Sequence, residues 1–334
     1  MSNNLLLSLQ KAAEIAKKDI VIITAEEPKL FPAIQNKLLR KILKLLALII
    51  SHISMGWQIH QNRHRDAQIV YGFSTEVWLF AWVASLFWTK NVYLQNHHNI
   101  QQACENPLMR WLLKLYDFLN YKYVVNETTS ALKDLGYSEE KISKHISLIT
   151  PIIPETAKNL FPDVEIPKNK VGIVGQIRKG KQVEETIKLL LNLQDKLDFL
   201  LVVGTDDFSA LEGMNLARVK LVNTAARDDY MAVIASCDVI ILNYEKAKYY
   251  YRCSGVAMDA IAVRTYVICP NFPLMNHQLI YPSQVGLLYN HQTELETVLK
   301  QAFQLLPAKE NPAFDQQYQA RSIAKIAEFL DQVV

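Results

Sequence analysis

Two hydrophobic rhythms alternate along this chain. Short continuous apolar runs have the character of buried strands. Between them lie longer stretches with apolar residues at every third or fourth position, the spacing of an amphipathic helix. In the first half, residues 19–24 (DIVIIT), 67–71 (AQIVY), 91–94 (NVYL), 121–125 (YKYVV) and 145–149 (HISLI) predict strands. Helices are predicted over 32–53 from Pro32, after Ser74, over 107–120, and over 127–135 with Gly136 as the stop. Pro151, Pro154, Pro162 and Pro167 then break the pattern, as a linker would. In the second half, strands are predicted at 170–174 (KVGIV), 198–203 (DFLLVV), 219–222, 238–242, 266–269 and 287–289, with helices between them and two more at 293–306 and 314–333. Such alternation predicts α/β architecture, with parallel sheets covered on both faces.

The 334 residues are too many for one ordinary core. The proline-rich stretch divides them into an N-terminal domain at 1–160, a C-terminal domain at 161–312 and a final helix at 313–334. Hydrophobic residues make up 50% and charged residues 21%, which excludes a disordered chain. A net charge of +3 is too small to argue for nucleic acid, and no zinc spacing or RNA-binding signature occurs. Cys104, Cys237, Cys253 and Cys269 are scattered without a CxxC, which fits reduced thiols in a cytoplasmic protein. The N-terminus lacks a basic stretch before its apolar run, so no signal peptide is predicted. The apolar runs 38–50 and 77–88 are both short of the roughly 18–20 residues that span a bilayer.

Residues 249–261 (YYYRCSGVAMDAI) are the most informative stretch for chemistry. They follow an apolar strand and open a helix at Ser254-Gly255. A helix N-terminus presents outward N–H groups and a positive dipole end, and Gly255 lets a ligand approach the backbone. Arg252 adds a forked cation that suits a phosphate. The simpler alternative is an ordinary Ser254 N-cap beside a surface arginine. A nicotinamide site is not predicted, because no G-x-G-x-x-G follows the first strand.

The order of these parts resembles the GT-B glycosyltransferases, and among them the large retaining family four. The motifs concerned are VGIVGQIRKGKQ, LLVVG, SCDVIILNY, SGVAMDAI and YVICP between about 171 and 270, then PLMNHQLIYPSQVGLLYN. In the first half, NVYLQNHHNI is similar to a strand entering the family's histidine loop. The resemblance implies two doubly wound Rossmann-like domains facing a cleft, the GT-B fold, with the last helix crossing back to the first domain. It implies a donor site for a nucleotide diphosphate sugar and no cofactor. Arg178, Lys179, Lys181, Tyr251, Arg252, Ser254 and Gly255 would bind the donor, with His98 and Asp259 as catalytic residues and His97 and Asn99 on the acceptor side. The family's E-x7-E pair is half present: with Asp259 in the second place, the first falls on Tyr251. Gln176 stands where many members have arginine, and there is no DxD motif, in keeping with metal-independent transfer.

By this resemblance the chain transfers a sugar to a glycan or a polyprenol-linked acceptor in polysaccharide or glycoconjugate biosynthesis. Two other readings fit the same parts: a non-catalytic GT-B subunit that partners a transferase, and a nucleotide-sugar epimerase. The predicted helix 32–53 sets Lys37, Arg40, Lys41 and Lys44 beside Leu38, Leu39, Ile42, Leu45 and Leu46. That composition suits peripheral contact with an anionic membrane at the inner face of the cell membrane, and it also suits a core helix with a basic solvent face. The aromatic stretch with Trp78, Trp82 and Trp88 has the composition of packing rather than of an interface anchor.

Overall fold

The structure, a computed structural model, describes residues 2–24, 36–72, 91–96, 99–161, 169–178, 180–305 and 307–333. The chain forms two units, residues 1–149 with 323–334 and residues 150–322. The second unit therefore begins at Thr150, one residue before the first linker proline, and keeps residues 313–322, and only the last helix belongs to the first unit. The expected start of the 32–53 helix at Pro32, the helix after Ser74 with its three tryptophans, and Pro162 and Pro167 of the linker lie outside the described residues.

The first unit is built on five parallel strands, β1 (Ile20–Thr24), β2 (Ala67–Tyr71), β3 (Val92–Asn96), β4 (Lys122–Asn126) and β5 (Ile146–Leu148). They lie in the order β1-β2-β3-β4-β5. Side chains alternate across the sheet, as the strand repeat requires. Ile69, Tyr93 and Val124 face a core shared with Leu5 and Leu9 of the Ser2–Ile15 helix and Ile326 and Leu330 of the Ile323–Val333 helix. Val70, Tyr123 and Val125 are buried on the opposite face, where the Tyr123 hydroxyl donates to the Leu113 carbonyl of the Pro107–Phe118 helix. Every crossover in this sheet steps the same way. Right-handed connections therefore place the Lys37–Gln61 and Pro107–Phe118 helices together on that second face.

The Lys37–Gln61 helix is longer than the sequence pattern suggests, with Asn36 accepting from the amides of Leu38 and Leu39 as its N-cap. Residues Leu38–Gln61 are long and apolar enough to cross a membrane by length and composition, which corrects the expectation drawn from residues 38–50 alone. The correction arises because Ser51, His52 and Gly56 do not interrupt a helix that packs Met55 and Ile59 into the unit.

The second unit holds six parallel strands, β6 (Asn169–Val174), β7 (Phe199–Thr205), β8 (Val219–Asn223), β9 (Val239–Ile241), β10 (Tyr266–Pro270) and β11 (Gly286–Tyr289). Their order is β11-β10-β9-β6-β7-β8, the doubly wound arrangement. One continuous core joins the strand residues Val171, Leu201, Ile240 and Ile268 to helix residues such as Ile187, Ile234 and Ile261. The helix expected at 314–333 is two helices, Ala313–Ala320 and Ile323–Val333. The break falls at Arg321, which is fully buried. Its guanidinium reaches Gln317 Oε1 at 2.7 Å and the carbonyls of Thr150, His277, Gln278 and Tyr281 at 3.0–3.3 Å.

Candidate functional site

In the second unit, β6 has the next strand in sequence, β7, on one side and β9 on the other. The strand order reverses between β6 and β9, and the carboxyl ends of such a pair open into a crevice. Gly175, Gln176 and Lys181 line it from the β6 side, and Leu242, Asn243 and Tyr244 from the β9 side. The floor is fixed by hydrogen bonds. Asn243 Nδ2 donates to Thr186 Oγ1 at 2.9 Å, and the Tyr289 hydroxyl lies 2.9 Å from Asn243 Oδ1.

The loop from 175 to 182 is held against the segment after β9. Glu245 N donates to the Gly180 carbonyl at 2.8 Å. Gly180 has φ +96°, and a Cβ there would come within 2.7 Å of Lys248 Cδ and 3.2 Å of Tyr249 Cε2. Only glycine meets both conditions without strain. Gly180→Ala is expected to destabilise the protein by about 1–2 kcal/mol and to shift the loop that carries Arg178 and Lys181. Urea unfolding and nucleotide titration of the variant measure the two effects.

Lys181 points into the crevice. A methyl group on Gly175 would lie 3.4 Å from Lys181 Nζ and 3.5 Å from Val256 Cγ2, in the first turn of the Gly255–Ala262 helix. The ammonium therefore sits between the end of β6 and the start of that helix. Burial pulls its pKa down to about 8; Arg178 adds to the fall and Asp206, just after β7, opposes it. Arg178 is exposed and also acts on the buried Tyr244 phenol, whose pKa burial pushes up and the Ser254 hydrogen bond and Arg178 pull down. Two cations thus converge on one crevice.

The Gly255–Ala262 helix begins as the sequence predicts. Ser254 caps it by accepting from Ala257 N at 3.2 Å, and its hydroxyl lies 3.2 Å from the Tyr244 hydroxyl. Gln278 brackets the Ser254 backbone, accepting from its N–H at 2.8 Å and donating to its carbonyl at 3.3 Å. Ser254 is buried, so its side chain serves the cap. The first-turn amides of Gly255 and Val256 are donors without intrahelical acceptors by helix geometry. Arg252 stacks over the Tyr249 ring at 5.5 Å, and Tyr249 stacks on Tyr244 at 4.5 Å. Tyr251 is buried against Tyr250.

Asp259 lies one turn into the helix and is engaged elsewhere. Arg227 Nη2 donates to its Oδ1 at 3.0 Å and the Tyr230 hydroxyl to its Oδ2 at 2.9 Å, while Arg227 also reaches Glu155 at 3.0 Å. These bonds tie the Gly255–Ala262 helix to the Arg227–Ala235 helix. The structure thus places Lys181 in the crevice with the charge of Arg178 near it, and joins the crevice to the start of the Gly255–Ala262 helix through the Tyr244–Ser254 hydrogen bond. Asp259 is bonded to a neighbouring helix, and Tyr251 is packed in the loop. His97, His98 and Lys179 lie outside the described residues. Asn99 opens the Asn99–Glu105 helix after β3 in the first unit and is buried. No group of three or more potential metal ligands occurs among the described residues. Sequence reasoning missed Asn243, Thr186, Tyr244 and Gln278. The first and third directly follow an apolar strand run, where a doubly wound sheet presents its ligand-facing residues.

Two Rossmann-like units in one chain, each with an all-parallel sheet, make up the GT-B fold. Solved structures of glycosyltransferases share it. One is the sucrose-phosphate synthase of Thermosynechococcus elongatus, 16% identical, with a TM-score of 0.60 over 92% of this chain and 81% of that one. A second is the trehalose-6-phosphate synthase OtsA, 9% identical, with a TM-score of 0.61 over 99% and 94% of the two chains. A third is Anabaena HepE in complex with UDP and glucose, 14% identical, with a TM-score of 0.58 over 98% and 94%. No protein-family model and no curated protein matches the sequence.

Proposed function

We propose that the chain is a glycosyltransferase that binds a nucleotide diphosphate sugar in the crevice between β6 and β9. It transfers the sugar to a hydroxyl of a glycan or a polyprenol-linked acceptor. The observation that carries this reading is the half-buried Lys181 ammonium, set beside Gly175 and close to Val256 at the start of the Gly255–Ala262 helix, with the charge of Arg178 near it. A lysine held at the expense of burial, facing a helix N-terminus, suits a polyanion that compensates its charge. In the reaction the bond from the sugar's anomeric carbon to the diphosphate breaks and a bond to the acceptor oxygen forms. Charge gathers on the departing diphosphate, and the acceptor's proton leaves with it or passes to solvent. Arg178, Lys181, Lys179, Arg252 and the amides of Gly255 and Val256 are the groups we assign to that charge.

Tyr251 is assigned to packing of the donor loop and Ser254 to its cap. Asp259, bonded to Arg227 and Tyr230, is assigned to positioning the donor helix. His98 is proposed as the catalytic histidine and His97 and Asn99 as acceptor-side residues, by resemblance. Retention, metal independence, absence of a cofactor and a cytoplasmic site at the inner face of the cell membrane belong to the same proposal. UDP is the first nucleotide to try, because HepE is seen with UDP and glucose.

The test is thermal unfolding of the protein with UDP, GDP, ADP, dTDP and CMP, beside Arg252→Ala. Ligand bound only to the folded state raises the melting temperature. A rise with one diphosphate, reduced in the variant, is the expected result. No rise with any of them rejects the donor site and turns the reading to a non-catalytic subunit. Asp259→Asn separates positioning from catalysis: loss of about 1–2 kcal/mol of stability with intact transfer is expected, and loss of turnover with intact stability overturns the assignment.

A further inference from the structure

We propose that the first unit docks on an anionic lipid bilayer, with the Lys37–Gln61 helix lying in the plane of the interface. The inference does not rest on the donor site, and either can fail without the other. Its basis is a helix whose first half leaves a row of large apolar side chains exposed: none of residues 38–50 is buried, and only Leu43, Ala47, Leu48 and Ile49 are half-buried. Leu38, Ile42, Leu45, Leu46, Ile50 and Ile53 are all exposed, Leu38 to 68% and Ile50 to 58%. Each step between them is one, three or four residues, so they form one stripe along the helix, which Trp57 continues. An exposed aliphatic stripe of this length marks a surface with a partner.

The charges say which partner. The helix carries Lys37, Arg40, Lys41 and Lys44 and no acidic residue. The last three fall on the side away from the stripe and are exposed. Apolar residues on one side and cations on the other suit a helix that sinks its stripe to the acyl boundary and meets anionic headgroups with its lysines and arginine. A crossing orientation is not available to the folded unit. Ser51, His52, Met55 and Ile59 are buried in it, which ties the second half of the helix to the protein.

A second stripe extends the surface. In the Pro107–Phe118 helix, Leu108, Trp111 and Phe118 are exposed, Phe118 to 80%, and Arg110 and Lys114 are exposed beside them. The right-handed crossovers that put both helices on one face of the sheet set the two stripes on the same side of the unit. The opposite face is covered by the Ser2–Ile15 and Ile323–Val333 helices.

Flotation of the full chain with phosphatidylcholine vesicles, with and without phosphatidylglycerol, tests the proposal. The wild type is expected to float with the anionic vesicles, and added salt is expected to weaken binding by screening. The triple variant Ile42→Gln, Leu45→Gln, Leu46→Gln is expected to lose affinity on the order of a hundredfold, and Arg40→Glu, Lys41→Glu, Lys44→Glu at least about tenfold. All six positions are exposed, and an unchanged melting temperature verifies that both variants fold. Brominated lipid should quench tryptophan fluorescence, less so in Trp57→Phe and Trp111→Phe. Three results overturn the proposal: a wild type that stays behind with both vesicles, a glutamine variant that floats as well as the wild type, and a wild-type dimer that the glutamine variant dissociates while neither floats. The last would assign the stripe to a second copy of the chain. Donor binding that fails while flotation persists leaves this inference standing and rejects the donor reading alone.

Discussion

Lys181→Met is expected to raise the melting temperature of the ligand-free protein while weakening its response to a nucleoside diphosphate. The two signs share one cause. Burial lowers the Lys181 pKa from 10.5 to about 8, so holding the ammonium charged in the folded state is unfavourable at neutral pH. Because the folded pKa is depressed, the unfolded chain binds the proton more tightly. The penalty is fully present below pH 8 and is relieved as pH climbs from about 8 to 10.5. The shift corresponds to roughly 3–3.5 kcal/mol, which methionine, of similar shape and without charge, avoids. For a unit of this size that is several degrees in melting temperature. In the complex the balance reverses, because the diphosphate supplies the missing counter-charge. Removing a charge-assisted contact of this kind costs about 1.5–3 kcal/mol of affinity, roughly ten- to a hundredfold. Calorimetry of wild type and variant at pH 7, each with and without nucleotide, measures both. A variant that is less stable than the wild type without ligand would mean that Lys181 is a structural cation. Wild-type donor affinity should also fall above pH 8, as the free ammonium loses its proton.

Arg321→Leu is expected to destabilise the second unit by about 3–5 kcal/mol, the larger of the purely structural effects. Arg321 has no exposed surface, and its guanidinium bonds one amide oxygen and four backbone carbonyls contributed by three separate segments. Leucine fills part of the volume but removes a donor from each of those carbonyls, of which the His277 carbonyl keeps a second one from the Tyr281 N–H. Arg321→Lys should recover little, since a point cation cannot serve a planar fan of acceptors. Urea unfolding resolves the effect. A loss below about 1 kcal/mol would mean that water replaces the guanidinium. The candidate site feels this change indirectly: Gln278, whose carbonyl Arg321 holds, also brackets the backbone of Ser254 at the start of the Gly255–Ala262 helix.

Strand positions were legible because a strand buried on both faces writes itself as an apolar run, and residues 170–174, 198–203 and 266–269 do so; their order in the sheets came only from the tertiary structure. The Ser254 cap was legible for the same local reason: a hydroxyl before an apolar helical run has few other uses. Lys181 was named as a candidate through the family resemblance, since the composition of its loop is that of an ordinary surface turn. Its convergence with Gly175 and Val256 was not visible, because those residues meet only when β6 and the Gly255–Ala262 helix are placed side by side. Asp259 shows the opposite outcome. The family resemblance suggested a catalytic carboxylate, and its partners in the structure, Arg227 and Tyr230, come from a helix about thirty residues earlier.

The sequence by itself determined the α/β class, the two-part chain, the strand positions and the helix start at Ser254. All of these are set by local periodicity and local hydrogen bonding. Tertiary structure decided where the units divide, which cations share the crevice, and that the stripe from Leu38 to Trp57 faces outward. The physical reason is that a periodic apolar face records only that something must cover it. Whether that cover is a sheet, as for Met55 and Ile59, or lies beyond the protein, as for Leu38 and Ile42, depends on how far the rest of the fold extends along the helix.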